Sequence, residues 1–301
     1  MIIDEPSSLL EPVADKQPGV PDLASLEQTA RTPDPDNPPW GVLKALLTWF
    51  ASIACLTVVP LLVVIPYILY LYLSSGAPSA DALVTDKNFL FLSILGVIPA
   101  HLLTFGVAWI VVTDWGRHRF WLTLGFTWPK SFGPWKCVGL AVLLLLIGAL
   151  VTSYFGGSKT QMDLIIESSY RTRLATAFLA AATGPFVEEL VYRGVLYSAL
   201  QRALGVSMAV VLVSILFAGV HVYQYYNNIA VIAVITLLSV TLTVVRAVTG
   251  RLLPSFMIHF IFNGIQSLIL VFQPFFEKAN TVVPNKIPAT NLIEIFLRHL
   301  S

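Results

Sequence analysis

This 301-residue sequence predicts an all-α fold, a polytopic transmembrane helix bundle of about seven spans, and three observations lead to that expectation. First, 56% of the residues are hydrophobic and only 12% are charged, against about 45–50% and about 25% in an ordinary soluble domain. Second, mean hydropathy is high, at +0.77. Third, the apolar residues gather into stretches long enough to cross about 30 Å of hydrocarbon at about 1.5 Å of rise per helical residue. So little charge cannot solvate a globular surface of this size. That excludes a typical soluble enzyme, a disordered chain and a nucleic-acid binder, and the net charge of +1 exerts no pull on polyanions.

Taken in order, residues 1–40 read as an acidic, proline-rich tail. Eight acidic groups (Asp4, Glu5, Glu11, Asp15, Asp22, Glu27, Asp34, Asp36) face two basic ones (Lys16, Arg31), which sets this segment at −6 and the remainder at +7. Without a long apolar run it is expected to stay disordered, and it lacks the basic and apolar regions of a secretory signal. Residues 41–301 form the transmembrane helical domain, with spans expected at 45–73, 89–112, 137–155, 174–202, 207–225, 228–248 and 252–272. Pro60 and Pro66 predict a kink or tilt in the first. Asn291–Leu300 reads either as an interfacial segment or as part of an eighth crossing.

Lysine and arginine in the loop 113–136 (Arg117, Arg119, Lys130, Lys136) set that loop on the cytoplasmic side and, by alternation, the N-terminus with it. The chain is therefore expected to be a multi-pass integral membrane protein, in the cell membrane if its source is bacterial. Cys55 and Cys137 lie in or beside apolar runs, show no disulfide or ligand spacing, and read as buried thiols. No internal repeat of the kind seen in many transporters is visible.

Ionisable groups inside a span are costly, so their default reading is functional. They concentrate in a core over 174–270. Span four carries Glu188-Glu189-Leu190-Val191-Tyr192-Arg193, span five Phe217-Ala218-Gly219-Val220-His221, and span seven His259-Phe260-Ile261-Phe262-Asn263. Glu189 and Arg193, four apart with the acid first, form a favourable same-face ion pair. Glu188 is left without a local partner, in a setting expected to raise a carboxyl pKa into the range useful for proton transfer. Each group also has a plain structural reading: the Glu189–Arg193 pair as an internal tie, His221 and His101 as packing histidines, and His259 with Asn263 as interhelical glue. The coincidence of six such residues on three spans favours a common site. The sequence lacks the His-Glu-x-x-His, Gly-x-Ser-Gly and Gly-x-Gly-Asp signatures of other intramembrane hydrolases, which leaves water as the attacking species.

Glu188-Glu189-x-x-Tyr192-Arg193, Phe217-x-x-x-His221 and His259-x-x-x-Asn263, in this order, resemble the three signature motifs of the CAAX-protease and bacteriocin-processing family (CPBP, or Abi). These are intramembrane glutamate proteases, also called type II CAAX prenyl endopeptidases. The resemblance implies a catalytic cavity within the bilayer and cleavage of a peptide bond, in eukaryotic relatives just after a prenylated cysteine near a C-terminus. Its implied partners are the lipid bilayer and a peptide or lipidated-protein substrate entering from the membrane.

By position, Glu188 with His221 would activate water, His259 and Asn263 would stabilise the oxyanion, and Glu189 and Arg193 would hold Glu188. Members of this family are also described as metalloproteases, which would make Glu188, His221 and His259 zinc ligands instead. Asn263 is a poor zinc ligand and a good donor to an oxyanion, so the metal-free route is slightly favoured.

Straight helices set His221 about 21 Å deep and His259 about 10 Å deep from the same side, a mismatch that tilt or a late helix start must close. Two rival readings remain: a catalytically inactive immunity or assembly protein of the same fold, and a proton-coupled transporter using Glu188, Glu189 and Arg193 as a relay.

Overall fold

A computed structural model describes residues 34–156 and 159–282, with side chains through residue 275. The acidic tail before residue 34 and the segment Asn291–Leu300 lie outside the described residues. Those described fold into helices and turns without a β-strand. Seven helices are long and apolar enough to cross a membrane: Val42–Ser75, Lys87–Thr113, Pro134–Phe155, Tyr170–Leu204, Val206–Tyr225, Ile229–Thr249 and Leu252–Phe275, called spans one to seven below. The protein is an integral membrane protein.

Its outer surface has the composition that lipid demands. Span one buries only Ala45, Thr48, Ser52 and Val64, while Leu47, Leu61, Leu62, Ile65 and Leu69 are exposed. In water such a surface would drive aggregation. The helix runs through Pro60 and Pro66 without ending. Span two is divided at Gly96 into Lys87–Leu95 and Val97–Thr113. A Cβ on Gly96 would lie 2.6 Å from Pro60 Cα, so only glycine allows spans one and two to cross there.

The last seven residues of the segment read as tail, 34–40, pack against the bundle. Trp40 is 1% exposed, and its indole N–H donates to Val195 O at 3.0 Å. Asp36 Oδ1 accepts from Arg246 Nη1 at 2.7 Å, and Arg202 donates to the carbonyl oxygens of Pro38 and Trp40. A buried indole and two arginines on spans four and six thus order this strap, a long-range pattern that composition does not reveal.

Span four lies at the centre. It has half of its most apolar window buried, the largest share of any span. One apolar cluster joins its residues Leu190–Leu200 to spans one, two and five, and a second joins Cys137, Leu144, Leu242, Ile258 and Phe262 of spans three, six and seven. Along span four the α-helix is interrupted by two π segments, Leu179–Thr183 and Leu190–Leu196, which flank Gly184–Glu189. Pro185 supplies no N–H to the helix ladder, and Gly184 N–H reaches back to Leu179 O. A Cβ on Gly184 would meet that same oxygen at 3.0 Å. Each π turn re-aims the side chains beyond it, a device frequent at functional sites.

Candidate active site

A cavity of about 700 Å³ lies among the spans. Glu188, His221, His259 and Asn263 all line it, together with Tyr192 and Phe217. The structure thus brings together on one surface four of the six residues singled out in the sequence. Glu189 and Arg193 stand behind them, 1% and 0% exposed.

The layer behind the cavity is a buried polar network. Arg193 Nη1 donates to Glu189 Oε1 at 2.9 Å, Nε to Thr243 Oγ1 at 3.1 Å, and Nη2 to Ser239 O and Oγ at 3.0 and 2.8 Å. The guanidinium also lies 4.6 Å from the Phe217 ring centroid, a desolvated cation–π contact. Glu189 Oε1 accepts a second hydrogen bond from His259 Nδ1 at 3.0 Å. A buried carboxylate with a guanidinium on one side and an imidazole N–H on the other fixes that imidazole's tautomer and rotation. His259 Nε2 is thereby turned toward Glu188, whose Oε2 lies 3.7 Å away.

His221 is oriented separately. Its Nδ1 lies 2.8 Å from Phe217 O, one turn back on span five, and a carbonyl can only accept, so Nδ1 carries the proton. In the neutral ring Nε2 is then an acceptor. Asn263 Nδ2 donates to Ala180 O at 3.1 Å, inside the first π segment, which leaves its second amide hydrogen uncommitted by that bond.

The Phe217 ring sits 4.8 Å from His221 and 6.1 Å from His259. His259 therefore packs at the level of Phe217, one turn from His221. The depth mismatch expected from straight helices does not keep both histidines from one cavity.

Among the described residues no three His, Cys, Asp or Glu side chains gather as metal ligands. Glu188 and His259 face each other, and the bond from His259 Nδ1 to Glu189 leaves Nε2 free, as in a metal-binding histidine, but His221 does not complete a three-ligand set with them.

Three participants carry no ionisable signal in the sequence, and a fourth, His101, reads there as structural. Ser239 and Thr243 on span six hold Arg193, but the same span carries Thr236, Thr241, Arg246 and Thr249, so their spacing of four does not single them out. Trp49 on span one donates its indole N–H to Tyr192 Oη at 3.0 Å. His101, read as a packing histidine, does have a neighbour, with Nδ1 2.9 Å from Thr183 Oγ1, but it also lines the cavity.

No curated protein and no solved structure matches the chain. Residues 170–265, the stretch that contributes Glu188 through Asn263, match the family model for type II CAAX prenyl endopeptidase Rce1-like proteins, which bears out the resemblance read from the three motifs.

Proposed function

We propose that this protein is an intramembrane endopeptidase that hydrolyses a peptide bond near the C-terminus of a lipidated, CAAX-type protein, or in a small peptide, using water activated by Glu188. One observation carries the reading: Glu188, His221, His259 and Asn263, from three different spans, line one cavity among helices built to cross a membrane. The family match over 170–265 supports the same reaction class.

The geometry suits the division of labour that the resemblance implies, except that Glu189 and Arg193 hold His259 rather than Glu188. The gap of 3.7 Å between Glu188 Oε2 and His259 Nε2 is too long for a direct hydrogen bond, but a water beside it can lie about 2.8 Å from both atoms. Glu188, helped by the acceptor Nε2 of His221, takes a proton from that water as its oxygen attacks the carbonyl carbon. The tetrahedral oxyanion accepts from the second amide hydrogen of Asn263, and from His259 Nε2 when that ring carries its second proton. Collapse breaks the C–N bond, and the proton held by Glu188 passes to the leaving amine. Glu189 and Arg193 hold His259 in register and touch neither water nor substrate. The proposed route is metal-free.

The test is turnover of a fluorogenic prenylated CAAX peptide by purified protein in lipid nanodiscs. Glu188→Gln should lower kcat by about 10²–10⁴-fold, the usual contribution of a general base, and a chelator should leave the wild type unchanged. Equal turnover by Glu188→Gln overturns the role of Glu188. Loss with chelator and recovery with zinc overturns the metal-free route.

A further inference from the structure

We propose that His101 and Thr183 are positioning residues for Glu188, acting through the π segment Leu179–Thr183; this rests on the endopeptidase reading above. The π segment immediately precedes Gly184–Glu189, the turn and a half of helix that presents the two glutamates. It is gripped by polar contacts from both sides. From span seven, Asn263 Nδ2 donates to Ala180 O at 3.1 Å. From span two, His101, only 7% exposed, meets Thr183 Oγ1 through Nδ1 at 2.9 Å. One turn beyond His101, Phe105 packs its ring 5.9 Å from that of Phe186 and reinforces the same grip.

The carboxylate of Glu188 depends on this segment directly. A Cβ on Gly184 would lie 3.0 Å from Leu179 O and 3.9 Å from Glu188 Oε1, so the Glu188 carboxylate lies beside the residue that closes the π turn. A π turn is less stable than the α-helix around it and persists where its surroundings hold it. Release of the Thr183 contact lets the segment relax, and the glutamate moves with it.

The two possible roles of this hydrogen bond differ in what they cost. A single neutral bond between helices changes the global stability of a membrane protein little. A displacement of about 1 Å at a reacting group costs about 100-fold in rate. A positioning role therefore shows as a fall in kcat out of proportion to any loss of stability.

The experiment compares Thr183→Val, which keeps the shape and removes the hydroxyl, with Thr183→Ser, which keeps the hydroxyl, on the prenylated peptide in nanodiscs. Thr183→Val should lower kcat by about 10–100-fold with KM changed by less than about twofold, and Thr183→Ser should retain at least about half of wild-type kcat. His101→Ala should lose as much as Thr183→Val, and the double variant no more than either. Hydrogen–deuterium exchange over residues 179–190 should quicken in Thr183→Val and not in Thr183→Ser. A wild-type kcat in Thr183→Val, equal damage in Thr183→Ser, or losses that multiply in the double variant would overturn the proposal. A wild type that cleaves no peptide contradicts the endopeptidase reading alone, and in that case unchanged exchange in Thr183→Val overturns the clamp.

Discussion

Arg193→Met isolates what the buried ion pair does for the fold. The arginine is fully buried, Glu189 is nearly so, and they meet at 2.9 Å. Methionine keeps much of the apolar stem and removes the charge. Glu189 is then left as a buried carboxylate with His259 as its remaining ionisable neighbour, and breaking such a pair from one side costs about 3–5 kcal/mol. The lost bonds to Ser239 and Thr243 add about 0.6 kcal/mol each on the bilayer scale. These terms overlap, so the predicted loss is about 3–5 kcal/mol in SDS-driven unfolding from mixed micelles, followed by tryptophan fluorescence.

Adding Glu189→Gln to Arg193→Met removes the stranded charge and should return at least about 2 kcal/mol, because eliminating both members of a buried pair is often close to neutral. Activity should stay low in the double variant, since His259 has lost the anionic acceptor that fixes its ring. Stability and turnover thus part company in one cycle. Single-variant stability within about 1 kcal/mol of wild type, or no recovery in the double, would show that the pair does not hold the fold in this way.

Two further perturbations probe what holds the bundle together. Asp36→Ala strips Arg246 of its carboxylate partner; Arg246 is fully buried but Asp36 is 40% exposed, so the loss in the same unfolding assay should be about 1–3 kcal/mol rather than the full cost of a buried pair. Gly96→Ala forces a methyl to within 2.6 Å of Pro60 Cα, and the overpacking should cost about 1–3 kcal/mol with spans one and two displaced at their crossing. Unaltered stability in either variant would count against the strap or the crossing.

The fold was largely legible from hydropathy. A run of apolar residues with no charge has few alternatives to a membrane helix, and the expected boundaries of all seven spans fall within about four residues of those observed, the scatter usual for element ends. The candidate site was legible because ionisable residues inside spans stand out and their spacing of four puts partners on one face, as with Glu189 and Arg193. What the sequence hides is long-range or neutral. The bond from Trp40 to Val195 spans 155 positions, and no local pattern announces it. Ser239, Thr243 and Thr183 are neutral residues common in any helix, and only their three-dimensional partners give them meaning. The π segments leave a trace in Gly184-Pro185 but set a register that spacing rules assuming 3.6 residues per turn do not foresee.

The most direct measurement is mass spectrometry of a prenylated CAAX peptide incubated in ¹⁸O-labelled water with the protein in nanodiscs. Hydrolysis by Glu188-activated water gives two fragments split at one peptide bond, with a single ¹⁸O in the newly formed carboxylate, from the wild type and not from Glu188→Gln. An intact peptide with the wild type, or identical labelled fragments from Glu188→Gln, would contradict it.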